Sequence, residues 1–178
     1  MAARARVAVA VCVLWVTAGA LQAQISRDEA LASVYPGASV RAERLFLTTD
    51  QVQRISRAAG SEVPSALVAR YVASRAGQVV GRAYVDTHTV RTKKESLLVS
   101  LDDAGRVRRV DVTAFLEPAE YEAPEAWLRQ YGGRELADDV AVDRAIRPIA
   151  GATLTARAAN AAVRRVLAID RELTGGMR

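Results

Sequence analysis

From Leu67 to Ser74 the chain alternates, with Leu67, Ala69, Tyr71 and Ala73 on one side of an extended backbone and Val68, Arg70, Val72 and Ser74 on the other. A period of two marks a strand. Ala76-Gly77 then predicts a turn, and a second strand runs from Val79 to Thr87. A third, Glu95 to Leu101, sets Leu97, Val99 and Leu101 on one face. Asp102-Asp103-Ala104-Gly105 has turn chemistry, and Val107 to Phe115 returns with Val110, Val112 and Ala114 aligned.

Helical signals flank these strands. Ser26-Arg27-Asp28-Glu29 reads as a capping box, which predicts a short helix from Arg27 to about Val34, stopped by Pro36-Gly37. A second helix begins near Thr49 and Asp50, carries Val52 and Ile55, and ends at Gly60. Pro124 opens a short helix with Trp127 and Leu128, closed by Gly132-Gly133. The last covers about Thr155 to Leu173, with an apolar stripe of Ala159, Val163, Val166, Leu167 and Leu173, and Gly175-Gly176 ends it. The expected class is α+β: a single domain with an antiparallel sheet of about four strands packed with several helices, the longest at the C-terminus.

Residues 1–23 stand outside this pattern. Arg4 and Arg6 precede an apolar run from Val7 to Val16, followed by Ala18-Gly19-Ala20 and Ala23. That is the three-part pattern of a secretory signal peptide, cleaved after Ala20 or Ala23 or retained as an anchor. The run is short of the roughly 20 residues of a membrane span. The folded domain is then residues 24–178, and the expected location is exported, periplasmic or attached to the outer side of the inner membrane. Cys12 lies in the leader, so the mature chain is cysteine-free.

Charge and composition exclude several functions. The formal charge is +5, of which Arg4 and Arg6 supply two. The best basic cluster, Arg91-Thr92-Lys93-Lys94, is followed at once by Glu95, and the aromatic residues do not interleave with the basic ones. No nucleic-acid partner is expected. One cysteine and one histidine cannot build a zinc site, an iron–sulfur cluster or a disulfide framework.

Before the last helix the chain reads Ile149-Ala150-Gly151-Ala152-Thr153-Leu154-Thr155-Ala156-Arg157. Small residues leave backbone N–H groups unshielded, and the positive end of a long helix follows directly. Thr153 and Thr155 sit where a hydroxyl caps the helix, contacts a phosphate or is esterified to one. From the residues alone, a phosphate site and an ordinary glycine turn with a threonine cap both remain open.

Gly151-Ala152-Thr153-Leu154-Thr155-Ala156 resembles the motif of the FMN-binding domain family. That family includes the C subunit of the sodium-translocating NADH:quinone reductase, the G subunit of Rnf-type complexes and NosR-type periplasmic domains. The resemblance extends to Val80–Tyr84, Thr87–Lys93, the hairpin around Gly105 and Phe115–Tyr121, roughly residues 25–170 in all. It implies FMN as cofactor, moved from FAD by a flavin transferase onto Thr153 as a phosphoester. Gly151 and Ala152 would hold the phosphate, Thr155 would cap the helix, and Leu154 would adjoin the cofactor. The chain departs from the family at Ala150, where Ser or Thr is usual, at Arg147, often Asp, and at Pro148.

The remaining candidates are weighed against plainer roles. His88 either lines the flavin edge or is a surface histidine at a strand end, and Arg91 and Lys93 either steady a negative charge or form a solvated loop. Glu117, Glu120 and Glu122 read as solvated acids of a turn; Trp127, Tyr131, Tyr84 and Phe115 read as core. No general base stands out, so the expectation is an electron-transfer flavoprotein with membrane or periplasmic redox partners rather than a self-contained enzyme. The alternatives are a small flavin reductase and a flavin-free binding or regulatory module.

Overall fold

The computed structural model describes residues 24–175. The leader expected over residues 1–23 lies outside them. Five strands form one antiparallel meander in the order β1 to β5: Ser39–Phe46, Leu67–Arg75, Gln78–Thr89, Lys94–Asp102 and Val107–Phe115. The α+β class stands, with five strands rather than four. The additional strand, β1, pairs along its whole length with β2, from Ser39 opposite Ser74 to Phe46 opposite Leu67. It was hidden because it is an edge strand whose residues are mostly exposed and carry Arg41, Glu43 and Arg44. Charge along an open edge discourages pairing with another chain, and it erases the apolar alternation that reveals a buried strand.

Four helices cover the sheet: α1 (Arg27–Val34), α2 (Thr49–Ala59), α3 (Glu125–Leu128) and α4 (Thr153–Gly175). The capping box of α1 forms as predicted, with Ser26 Oγ accepting from Glu29 N–H and Glu29 accepting from Ser26 N–H. Thr48 and Gln51 build a second one at the start of α2. A 3₁₀ turn over Arg129–Tyr131 prolongs α3, and another spans Ala119–Tyr121 after β5.

Strand alternation sorts the core into two layers. Tyr84, Leu97, Val99, Val110 and Phe115 pack beneath α2 and α4, while Ala73, Ala83 and Leu98 meet Ala30, Leu31 and Tyr35 of the α1 segment on the other side. Gly81 is where the second layer closes. The place its Cβ would take is filled by the Leu101 carbonyl and the Tyr35 ring. The Tyr35 hydroxyl lies 2.7 Å from the carbonyl oxygens of both Arg82 and Leu101.

Two polar anchors lay α4 along β3, and a third ties its first turn to the segment after β5. Near the C-terminal end Asp170 pairs with Arg82 and accepts from the Tyr84 hydroxyl at 2.8 Å. In the middle Arg165 grips both oxygens of Asp86, at 2.7 and 2.9 Å. At the start Thr155 Oγ1 donates to the Tyr121 carbonyl at 2.7 Å. Among the described residues no helix is long and apolar enough to cross a membrane.

Candidate functional site

A cleft of 540 Å³ opens where three chain segments meet. Its walls are Val90, Arg91 and Thr92 of the β3–β4 turn, Glu117, Pro118 and Tyr121 after β5, and Gly151 to Thr155 at the start of α4. Five residues singled out around the Gly-Ala-Thr motif and Arg91, about 60 residues earlier in the chain, thus share one cavity. That volume lies within the range of small-molecule and cofactor sites, roughly 300–1,000 Å³.

The α4 wall is an open helix end. Gly151 has a φ of +77°, a left-handed conformation that glycine adopts without strain, and the turn it makes delivers Ala152 as the residue preceding the helix. Ala152 O accepts the first helical bond, from Ala156 N–H at 3.0 Å, but its methyl cannot cap the first turn. The N–H groups of Thr153, Leu154 and Thr155 therefore belong to a first turn with the helix's positive end behind it. Thr153 is exposed, and its hydroxyl has no hydrogen-bond partner among the described residues. Thr155 corrects the expectation of a cap. It is buried, and its hydroxyl ties α4 to the Tyr121 carbonyl instead.

The opposite wall combines a cation with apolar surface. Arg91 is exposed, and its guanidinium has no ion-pair partner among the described residues. Tyr121 is 41% exposed on this side and Leu154 51% on the α4 wall, both unusually bare for such side chains. Glu117 is not a solvated acid of the turn: its Oε1 accepts from the N–H groups of Thr92 and Lys93, each at 2.7 Å, and of Arg91 at 3.3 Å. Those bonds, Thr92's first, hold its carboxyl below the usual carboxylate range. Lys93 itself is absent from the cleft wall.

His88 lies elsewhere. It is 7% exposed, which overturns the surface reading, and it does not line the cleft. Its Nδ1 is 2.9 Å from Asp86 Oδ1 and its Nε2 2.8 Å from Glu95 Oε2. Burial opposes the imidazolium, but hydrogen bonds to Asp86 and then Glu95 outweigh it and raise the histidine above its ordinary value. For Asp86, burial likewise opposes the charge, and bonds from His88 and Arg165 overcome it and hold the carboxyl low. The result is a buried hydrogen-bonded chain, Arg165–Asp86–His88–Glu95.

The other candidates fall into place around these two features. Trp127 and Tyr131 are core, edge to face at 5.6 Å, and the Trp127 indole N–H donates to the Arg147 carbonyl at 2.6 Å. Tyr84 and Phe115 are core as expected. Arg147 and Ala150, the departures from the family motif, are exposed and absent from the cleft wall. Tyr121, Pro118, Val90 and Thr92 were not anticipated, because only the fold brings them to the motif. Among the described residues no group of His, Cys, Asp and Glu side chains is arranged to hold a metal ion.

Chemically the cleft offers the N–H groups of an open helix end together with exposed apolar surface on Leu154 and Tyr121. Compared with protein-family models, with curated proteins and with solved structures, the chain has no match in any of the three.

Proposed function

We propose that the protein is an exported electron-transfer flavoprotein of the FMN-binding domain type, carrying FMN as a phosphoester on Thr153. One observation carries this reading. Thr153 presents a free, exposed hydroxyl at the open first turn of a 23-residue helix, inside a cleft of cofactor size. The N–H groups of that turn and the Arg91 guanidinium suit a phosphate or another negative charge. Val90, Pro118, Tyr121 and Leu154 supply the apolar contact that a flavin ring system requires.

FMN, when bound, supplies one- and two-electron chemistry. The chain's part is to attach the cofactor, orient it and shield one side of it from water. In the attachment step the Thr153 oxygen bonds to the FMN phosphorus of FAD, the pyrophosphate bond breaks, AMP departs and the hydroxyl proton is lost to the transferase. A flavin transferase is thus one partner, and membrane or periplasmic redox proteins are the others. Covalent attachment suits an exported protein, for which lost cofactor is not readily replaced. Arg147 and Ala150, where the chain departs from the family motif, stand outside the cleft wall. Intact mass of the protein expressed beside a flavin transferase, compared with Thr153→Ala, tests the reading.

A further inference from the structure

The segment from Glu117 to Tyr121 passes beside the cleft as a strap, and one side chain fastens each end. At the first end Glu117 Oε1 collects the N–H groups of Arg91, Thr92 and Lys93 and also the Thr92 hydroxyl at 3.3 Å. At the far end the Tyr121 carbonyl takes the Thr155 hydroxyl at 2.7 Å. Between them a 3₁₀ turn leaves little slack, with Tyr121 N–H donating to Pro118 O at 3.0 Å. Leu116 N–H makes the last bond to β4, at Lys94 O, so Glu117 is the first residue free of the sheet. Successive backbone N–H groups converging on one point form an anion-binding nest. Here the anion belongs to the chain itself.

We propose that Glu117 is the positioning residue of the cleft: by gathering the N–H groups of the β3–β4 turn it fixes the spacing between the wall that carries Arg91 and the strap that carries Tyr121. This rests on the reading of the cleft as a flavin site. A carboxylate is needed because four donors share a single oxygen, and charge strengthens such bonds. Glutamine preserves shape and an acceptor oxygen but not the charge; alanine removes the fastening. A cleft that must be ordered anew by each ligand binds less tightly and less uniquely than one held in place beforehand.

The test has two arms. In flavin-free protein the amide resonances of Arg91, Thr92 and Lys93 should shift with Glu117 ionisation, with a midpoint below the ordinary carboxylate range. In Glu117→Gln that titration should vanish while the thermal midpoint stays near wild type. In Glu117→Ala the three amides should exchange roughly tenfold faster, as expected for donors that lose a charge-assisted partner. In flavin-loaded protein both variants should change the visible circular dichroism and the midpoint potential. Amides that ignore pH in the wild type would overturn the strap. Amides that titrate beside unchanged dichroism and potential would overturn the positioning role. A wild type that takes no flavin would overturn the cofactor reading and this proposal together, and a persisting amide titration would show that the fastening itself had not failed.

Discussion

His88 Nε2 lies 2.8 Å from Glu95 Oε2, and both side chains are buried. Glu95 is fully buried, and its second oxygen, Oε1, has no partner among the described residues. The groups that face this pair are Asp86 and Arg165, with Glu122 close enough to Glu95 to be raised by it after burial has done so. The imidazolium is therefore a structural cation. Because the folded value is raised, its contribution to stability is complete below the unfolded value of about 6.5 and is lost as pH rises through the folded value. As the only histidine, it gives one ring resonance, whose midpoint should lie above about 6.5. A midpoint at or below that value would contradict the account. His88→Ala, which strands a buried carboxylate, should cost about 3–5 kcal/mol in denaturant unfolding.

Gly81→Ala should destabilise without touching the cleft. The added methyl must displace the Leu101 carbonyl or the Tyr35 ring, whose hydroxyl is itself engaged. Overpacking of this kind costs roughly 1–3 kcal/mol. An unchanged thermal midpoint would mean that Tyr35 does not close this layer.

Thr155 and Thr153, two residues apart, should separate stability from loading. Thr155→Val removes the bond to the Tyr121 carbonyl from a buried site and should cost about 0.5–1.5 kcal/mol. Thr153→Ala, at an exposed position, should stay within about 0.5 kcal/mol of wild type. Equal losses would contradict the division of labour between the two hydroxyls.

Much of this arrangement was legible in the chain, and the reasons for the rest are physical. Strands β2 to β5 announced themselves because each has at least one buried face. β1 did not, since its exposed edge alternates charge rather than apolarity. The helix ends followed from capping chemistry, although α4 starts at Thr153, two residues earlier than expected, because Ala152 serves as its boundary without a polar cap. The contiguous part of the site, Gly151 to Thr155, could be read because one local event, a glycine turn into a helix, builds it. Glu117 and Tyr121 could not, since nothing local says that a Glu-Pro pair reaches a turn some 25 residues earlier. His88 does leave a signal in the chain. Asp86 and His88 stand two apart on one strand face, and the hairpin sets Glu95 directly opposite His88.

The central claim is that Thr153 carries FMN, and intact mass spectrometry of protein exported alongside a flavin transferase tests it most directly. The account predicts a gain of one FMN less one water, fluorescence that survives denaturation, and neither in Thr153→Ala. A wild type of unmodified mass and without fluorescence, beside a control acceptor labelled in the same cells, would contradict it.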